Sequence, residues 1–150
     1  AASISPAHTQ PTVIIVRHAE KLDNSRDPVL SPAGEARAQR LMQMLASSGI
    51  TTIYTTEFRR TELLAAPLAR QLGLRPQVVP AADRAALLKK LAAHAPGETV
   101  LVVGHSNTVP AVLKGLGHGE AVHIDEAEFD NLFVLVPREG KSPVVLKLKY

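Results

Sequence analysis

The sequence predicts an α/β fold, a three-layer α/β/α sandwich around a mostly parallel central sheet, and three observations predict it. Thr12–Val16 and Val100–Val103 are short unbroken apolar runs rich in β-branched residues, as suits strands buried on both faces. Segments with apolar residues at helical spacing lie between such runs, so strands and helices alternate along the chain. A length of 150 residues, 45% apolar and 21% charged, suffices for one substantial core and is short for two ordinary domains. We expect a flexible segment over residues 1–11 and a single domain over 12–150.

The first strand, Thr12–Val16, ends at Arg17-His18. After a polar loop, Ser31-Pro32 supplies an N-cap and a first-turn proline, Ala38, Leu41, Met42 and Leu45 recur at helical spacing, and Gly49 closes the helix. Thr51–Thr55 is a second strand. A helical pattern follows from about Phe58 with Leu64, Leu68 and Leu72 on one face, ending at Gly73. Pro67 interrupts it, and because proline removes a donor and crowds the preceding turn, we expect a kink there or a later start.

Gln77–Val79 is a brief strand, Asp83 caps a helix carrying Leu87, Leu88 and Leu91, and Pro96-Gly97 turns the chain back. Val100–Val103 is the clearest strand. Gly104-His105-Ser106-Asn107 follows, and Thr108 with Pro110 starts a helix through Val112, Leu113 and Leu116. Strands near Leu132–Val136 and Val144–Leu148 complete the sheet. In such a sheet ligands bind outside the carboxyl ends of the strands, which places His18 and His105 at one edge.

Composition narrows the function classes. Without cysteine there is no disulfide framework, thiolate nucleophile or thiolate zinc site. A net charge of +3 without basic runs or interleaved aromatics excludes an evident nucleic-acid surface and is compatible with anionic small substrates. No apolar segment approaches the length of a membrane span, so no membrane insertion is expected. The chain begins Ala1-Ala2-Ser3 with a polar stretch before the first apolar run, as after removal of a leader. The expectation is therefore an exported, periplasmic protein, and otherwise a cytoplasmic one.

Arg17, His18, Arg60 and His105 form a set suited to phosphoryl chemistry. Guanidinium groups hold phosphate oxygens bidentately and stay charged at any working pH. Neighbouring arginines disfavour an imidazolium, so His18 between them should remain neutral and nucleophilic, while His105 donates to the phosphoryl group. This chemistry calls for no metal and no cofactor. His8, His94, His118 and His123 lack metal-ligand spacing and read as solvated or structural.

Val16-Arg17-His18-Ala19-Glu20 resembles the Arg-His-Gly signature of the histidine phosphatase, or phosphoglycerate mutase-like, superfamily. Leu30-Ser31-Pro32-Ala33-Gly34 is similar to that family's Leu-Thr/Ser-x-x-Gly segment, Tyr54-Thr55-Thr56-Glu57-Phe58-Arg59-Arg60 to its Ser-x-x-x-Arg segment, and Val103-Gly104-His105-Ser106 to its second histidine motif. The resemblance runs in the family's order from about residue 12 to 110. It implies that Arg17 and Arg60 bind phosphate, that His18 is phosphorylated and that His105 completes the pocket. The substrate it implies is a phosphorylated small molecule or phosphoprotein, a phosphate monoester or phosphohistidine.

Three departures stand out: Ala19 in place of the signature glycine, Leu64 where many members carry threonine, and no Trp-Glu-Gly type segment marking the family's acid. Asp83, placed roughly where the family keeps its acid, is the preferred proton donor, with Glu20 second. Ser106, Asn107, Glu20 and Asn131 are candidate substrate contacts, Asn107 and Thr108 serving equally well as ordinary caps. Arg59 neighbours Arg60, and only one of the two can face the site comfortably.

Two other readings compete. Gly104-His105-Ser106-Asn107-Thr108 faintly resembles a serine-hydrolase elbow, with His118, His123 and Asp125 downstream, although the closing glycine is missing. A noncatalytic phosphate-binding module would keep Arg17, Arg60 and His105 without an effective acid. A mutase needs enclosing segments for which this chain has little material, so phosphatase is preferred.

Overall fold

The computed structural model describes residues 10–150. The segment expected to be flexible, and His8 within it, lie outside the described residues except for Gln10 and the buried Pro11. The elements are β1 (Thr12–Arg17), α1 (Pro32–Leu45), β2 (Ile50–Thr55), α2 (Arg59–Leu72), β3 (Gln77–Val78), α3 (Arg84–Ala92), β4 (Thr99–Gly104), α4 (Thr108–Gly115), β5 (Asn131–Arg138) and β6 (Lys141–Lys149).

They build one sheet in the order β3-β2-β4-β1-β5-β6, parallel from β3 to β1 and antiparallel at β5 and β6. This is the mostly parallel α/β architecture expected from the alternation of runs. The last two strands are longer than their apolar centres because a hairpin at Gly140, with φ +64°, lets pairing begin beside the turn.

Strand alternation assigns the two faces of the sheet. On β1, Ile14 and Val16 face a core shared with Leu41 and Leu45 of α1 and Leu64 and Leu68 of α2. Val13 and Ile15 face the other core, with Leu91 of α3 and Val109, Val112 and Leu113 of α4. β1 and β4 are thus buried on both sides, which is why they read as unbroken apolar runs. Each fully buried leucine in these layers contributes about 1.5–3 kcal/mol relative to exposure.

Pro67 does not delay the helix: α2 runs from Arg59 to Leu72 with the proline inside it. Leu63, whose carbonyl loses its helical donor to the proline, lies on the exposed side of α2 and Pro67 is half-exposed, so water can serve that carbonyl. At the other helix entries the caps follow the sequence. Ser31 Oγ accepts from the Gly34 N–H, with Pro32 in the first turn, and Asp83 accepts from the Ala86 N–H.

Candidate active site

The register of β1 on β4 creates the site. Arg17 stands opposite Gly104, and the His18 N–H continues the ladder by donating to the Gly104 carbonyl at 2.8 Å. The next residue on each chain is a histidine, and the two imidazole centres lie 5.3 Å apart, edge to face. Two residues 87 positions apart thereby become neighbours because parallel strands end at the same edge.

His18 is 4% exposed, and its Nδ1 lies 2.8 Å from the Ala19 carbonyl oxygen. A carbonyl only accepts, so Nδ1 carries the proton and Nε2 keeps its lone pair. Burial holds the imidazole down at about 3, against an ordinary value of 6.5, with His105, Arg17 and Arg60 pushing in the same direction and the Ala19 hydrogen bond opposing. Ala19 itself needs no glycine. No non-glycine residue among the described ones has positive φ, and the Ala19 methyl is fully buried in the α1/α2 core.

His105 is likewise held down, to about 4, chiefly by burial, then by Arg60 and Arg17, against the pull of Glu57. It is neutral around neutral pH and offers a hydrogen bond rather than a charge. Its Nε2 lies 3.0 Å from Thr56 Oγ1, and its main-chain N–H donates to Thr108 Oγ1 at 2.9 Å. Thr56 is fixed by Thr61, whose Oγ1 accepts from the Thr56 N–H at 3.1 Å and lies 2.8 Å from the Phe58 carbonyl. The Phe58 ring stands edge to face on His105 at 5.3 Å.

Arg17 is 3% exposed. Its Nη1 donates to the carbonyls of Asp125, Glu126 and Glu128 at 3.1, 2.8 and 2.7 Å, and its guanidinium lies over the Phe129 ring at 4.1 Å. The loop before β5 therefore holds one edge of the guanidinium, and the Glu126 carboxylate of the same loop lies 3.6 Å from Nη2. Arg60 lies over Phe58 at 4.5 Å. The Nε–H groups of both arginines are buried with no partner among the described residues, which is costly unless an anion serves them.

Arg59 turns away. It donates to the Asp27 carbonyl and pairs with the Asp27 carboxylate, more than half exposed. Two arginines in the first turn of α2 oppose the helix dipole, and the arrangement adds positive potential where an anion would sit.

Several expected contacts have partners of their own. Glu20 is bound through both oxygens to Arg37, at 2.8 and 3.0 Å, so it fastens the loop after β1 to α1. Asp83 spends Oδ1 on the cap of α3 and lines a narrow, mainly apolar crevice beside Thr56 and Gly104. Asn131 donates to Glu128 and accepts from Lys149, at 3.1 and 2.6 Å. Asn107 occupies the N-cap position of α4 with no capping hydrogen bond from its side chain. Ser106 Oγ donates to Glu126 Oε1 at 2.9 Å, and His123 pairs with Asp125, so these groups do not assemble a serine-histidine-acid chain. Among the described residues no group of three or more His, Asp or Glu could hold a metal ion, and no helix is long and apolar enough to cross a membrane.

Sequence reasoning missed Thr56, Thr61, Phe58, Phe129 and Glu126. A signal existed for the aromatics: the chain has three phenylalanines, and two of them flank the histidine pair. None existed for Glu126, because loop residues carry no periodicity.

Residues 13–83 match the histidine phosphatase superfamily (branch 1). The chain is similar in fold to the protein histidine phosphatase SixA solved with tungstate, at TM-score 0.72 and 19% identity over 92% of this chain and 96% of that one. It is also similar to the phosphoserine phosphatase of Entamoeba histolytica, at 0.72 and 14% over 93% and 97%. A mycobacterial glucosyl-3-phosphoglycerate phosphatase gives 0.70 and 14% over 93% and 98%. None of the curated proteins matches the chain. At such identities the structural likeness is one of fold, and it agrees with the sequence match, which runs from β1 to the cap of α3: over that stretch the chain is similar to the histidine phosphatase superfamily.

Proposed function

We propose that this protein is a phosphatase that removes the phosphoryl group from a phosphate monoester or a phosphohistidine through a covalent intermediate on His18. The observation that carries the reading is the tautomer of His18. With Nδ1–H tied to the Ala19 carbonyl, Nε2 has a free electron pair, and burial among arginines keeps it unprotonated. Arg17 and Arg60 would neutralise the phosphoryl oxygens through donors that have no other use, and the neutral His105 would donate a hydrogen bond to them.

In the first half-reaction Nε2 forms a bond to phosphorus as the ester oxygen departs, and in the second water releases phosphate from Nε2. The superfamily match and phosphatase structures of the same fold support this reading. The substrates named for those structures, a phosphohistidine protein, phosphoserine and a phosphorylated sugar acid, span both phosphoproteins and small molecules. Incubation with a labelled aryl phosphate should trap an acid-labile, base-stable phosphoprotein in the wild type and none in His18→Asn. Turnover that persists in His18→Asn would refute the covalent route.

A further inference from the structure

We propose that Glu126, rather than Asp83, is the group that protonates the departing oxygen. The inference rests on His18 as nucleophile and adds the second catalytic residue that an ester substrate requires.

The other nearby carboxylates are committed. Glu20 is held at two points by Arg37, Asp83 caps α3, and Glu57 accepts the Ala81 N–H at 2.9 Å. Glu126 has its carboxylate at the cluster. Its Oε1 accepts from Ser106, next to His105, and its Oε2 lies 3.6 Å from Arg17 Nη2. Its main-chain carbonyl is one of the three that hold Arg17, so the carboxylate is fixed relative to the phosphate-binding group by its backbone as well as by its side chain.

Exposure gives the direction. The His18 imidazole is 4% exposed and the Glu126 side chain 86%. In-line displacement puts nucleophile and departing oxygen on opposite sides of phosphorus, so an oxygen leaving from a buried nucleophile emerges toward solvent, where Glu126 stands.

The step balances without a metal or co-reactant. As His18 Nε2 bonds to phosphorus, the bond from phosphorus to the ester oxygen breaks and that oxygen takes the proton of the Glu126 carboxyl, giving an alcohol and a carboxylate. Glu126 then accepts a proton from the water that attacks the phosphohistidine, the P–N bond breaks, and the electron pair returns to Nε2.

The test is kcat/KM of Glu126→Gln for aryl phosphates graded by phenol acidity, from p-nitrophenyl phosphate to phenyl phosphate, extended to an alkyl phosphate. The wild type should depend weakly on the leaving group. In Glu126→Gln the loss should grow from a few-fold at p-nitrophenyl phosphate to about 10²-fold or more for the poorest leaving group. A loss of equal size across the series, or none, would overturn the proposal, as would a steeper dependence in Asp83→Asn. His18→Asn separates the two readings: it should abolish turnover of every substrate, and if it does not, the nucleophile assignment fails whatever Glu126 does.

Discussion

The Nδ1 of His18 lies 2.8 Å from the carbonyl oxygen of Ala19, the next residue in the chain. One local hydrogen bond thus selects the tautomer and leaves Nε2 unprotonated in a buried site that feels the charges of Arg17 and Arg60. The tautomer is set by backbone geometry and needs no carboxylate behind it.

Neutral histidines should be visible directly. His18 is held down at about 3 and His105 at about 4, so in an NMR titration neither imidazole should change protonation between pH 5 and 8. A midpoint near 6.5 for either one would contradict the burial argument.

The same depression makes stability depend on pH. Unfolded histidine takes up a proton near 6.5 while the folded residues resist, so the unfolded state binds more protons as pH falls below 6.5. Stability is therefore fully present above 6.5, declines below it, and the decline from these two groups ends only near 4 and 3. Denaturant unfolding at pH 7 and pH 5 should show the loss, and a double variant, His18→Asn with His105→Asn, should show less of it.

Arg17, proposed to bind phosphate, also holds the loop before β5. Arg17→Ala should lower kcat/KM by about 10²–10³-fold and also release the carbonyls of Asp125, Glu126 and Glu128. Faster amide exchange over residues 125–130 would report the second effect. Arg17→Lys keeps the charge but not the fork that spans those carbonyls and an anion, so it should not restore the wild-type rate.

Gly34 allows α1 to press on the nucleophile loop. A methyl group there would lie 2.3 Å from the Glu20 carbonyl oxygen and 3.1 Å from Leu30 Cβ, so Gly34→Ala must displace backbone two residues beyond His18. We expect a stability loss of about 1–3 kcal/mol in urea unfolding, with a drop in turnover at temperatures where the variant is folded.

Thr61 is fully buried and supports Thr56, the partner of His105. Thr61→Val leaves the Thr56 N–H without its acceptor and should cost about 1–3 kcal/mol, whereas Thr61→Ser should restore most of the loss. Equal stability of the two variants would show that the hydroxyl does not matter.

Much was legible in one dimension because its cause is local. Unbroken apolar runs mark strands covered on both faces, and Ser31-Pro32 and Asp83 mark helix starts because the first amides of a helix need acceptors. Arg17, His18 and His105 could be placed at one sheet edge because each stands at the end of an apolar run. Pro67 left two outcomes open because its cost depends on whether water reaches Leu63, a matter of which face α2 turns to its neighbours. Asp83 shows the same limit: its helix start could be read from the sequence, while what its carboxylate binds could not.

Sequence alone therefore determined the layered α/β order, the strand ends that carry Arg17, His18 and His105, and the caps that start α1 and α3, all consequences of side chains acting on their own backbone. The tertiary structure decided the rest. Packing against β4 set the burial that keeps both histidines neutral, and folding of the loop before β5 brought Phe129 and Glu126 to Arg17 across more than a hundred residues. Contacts at that separation arise from how the layers close, and no periodicity along the chain records them.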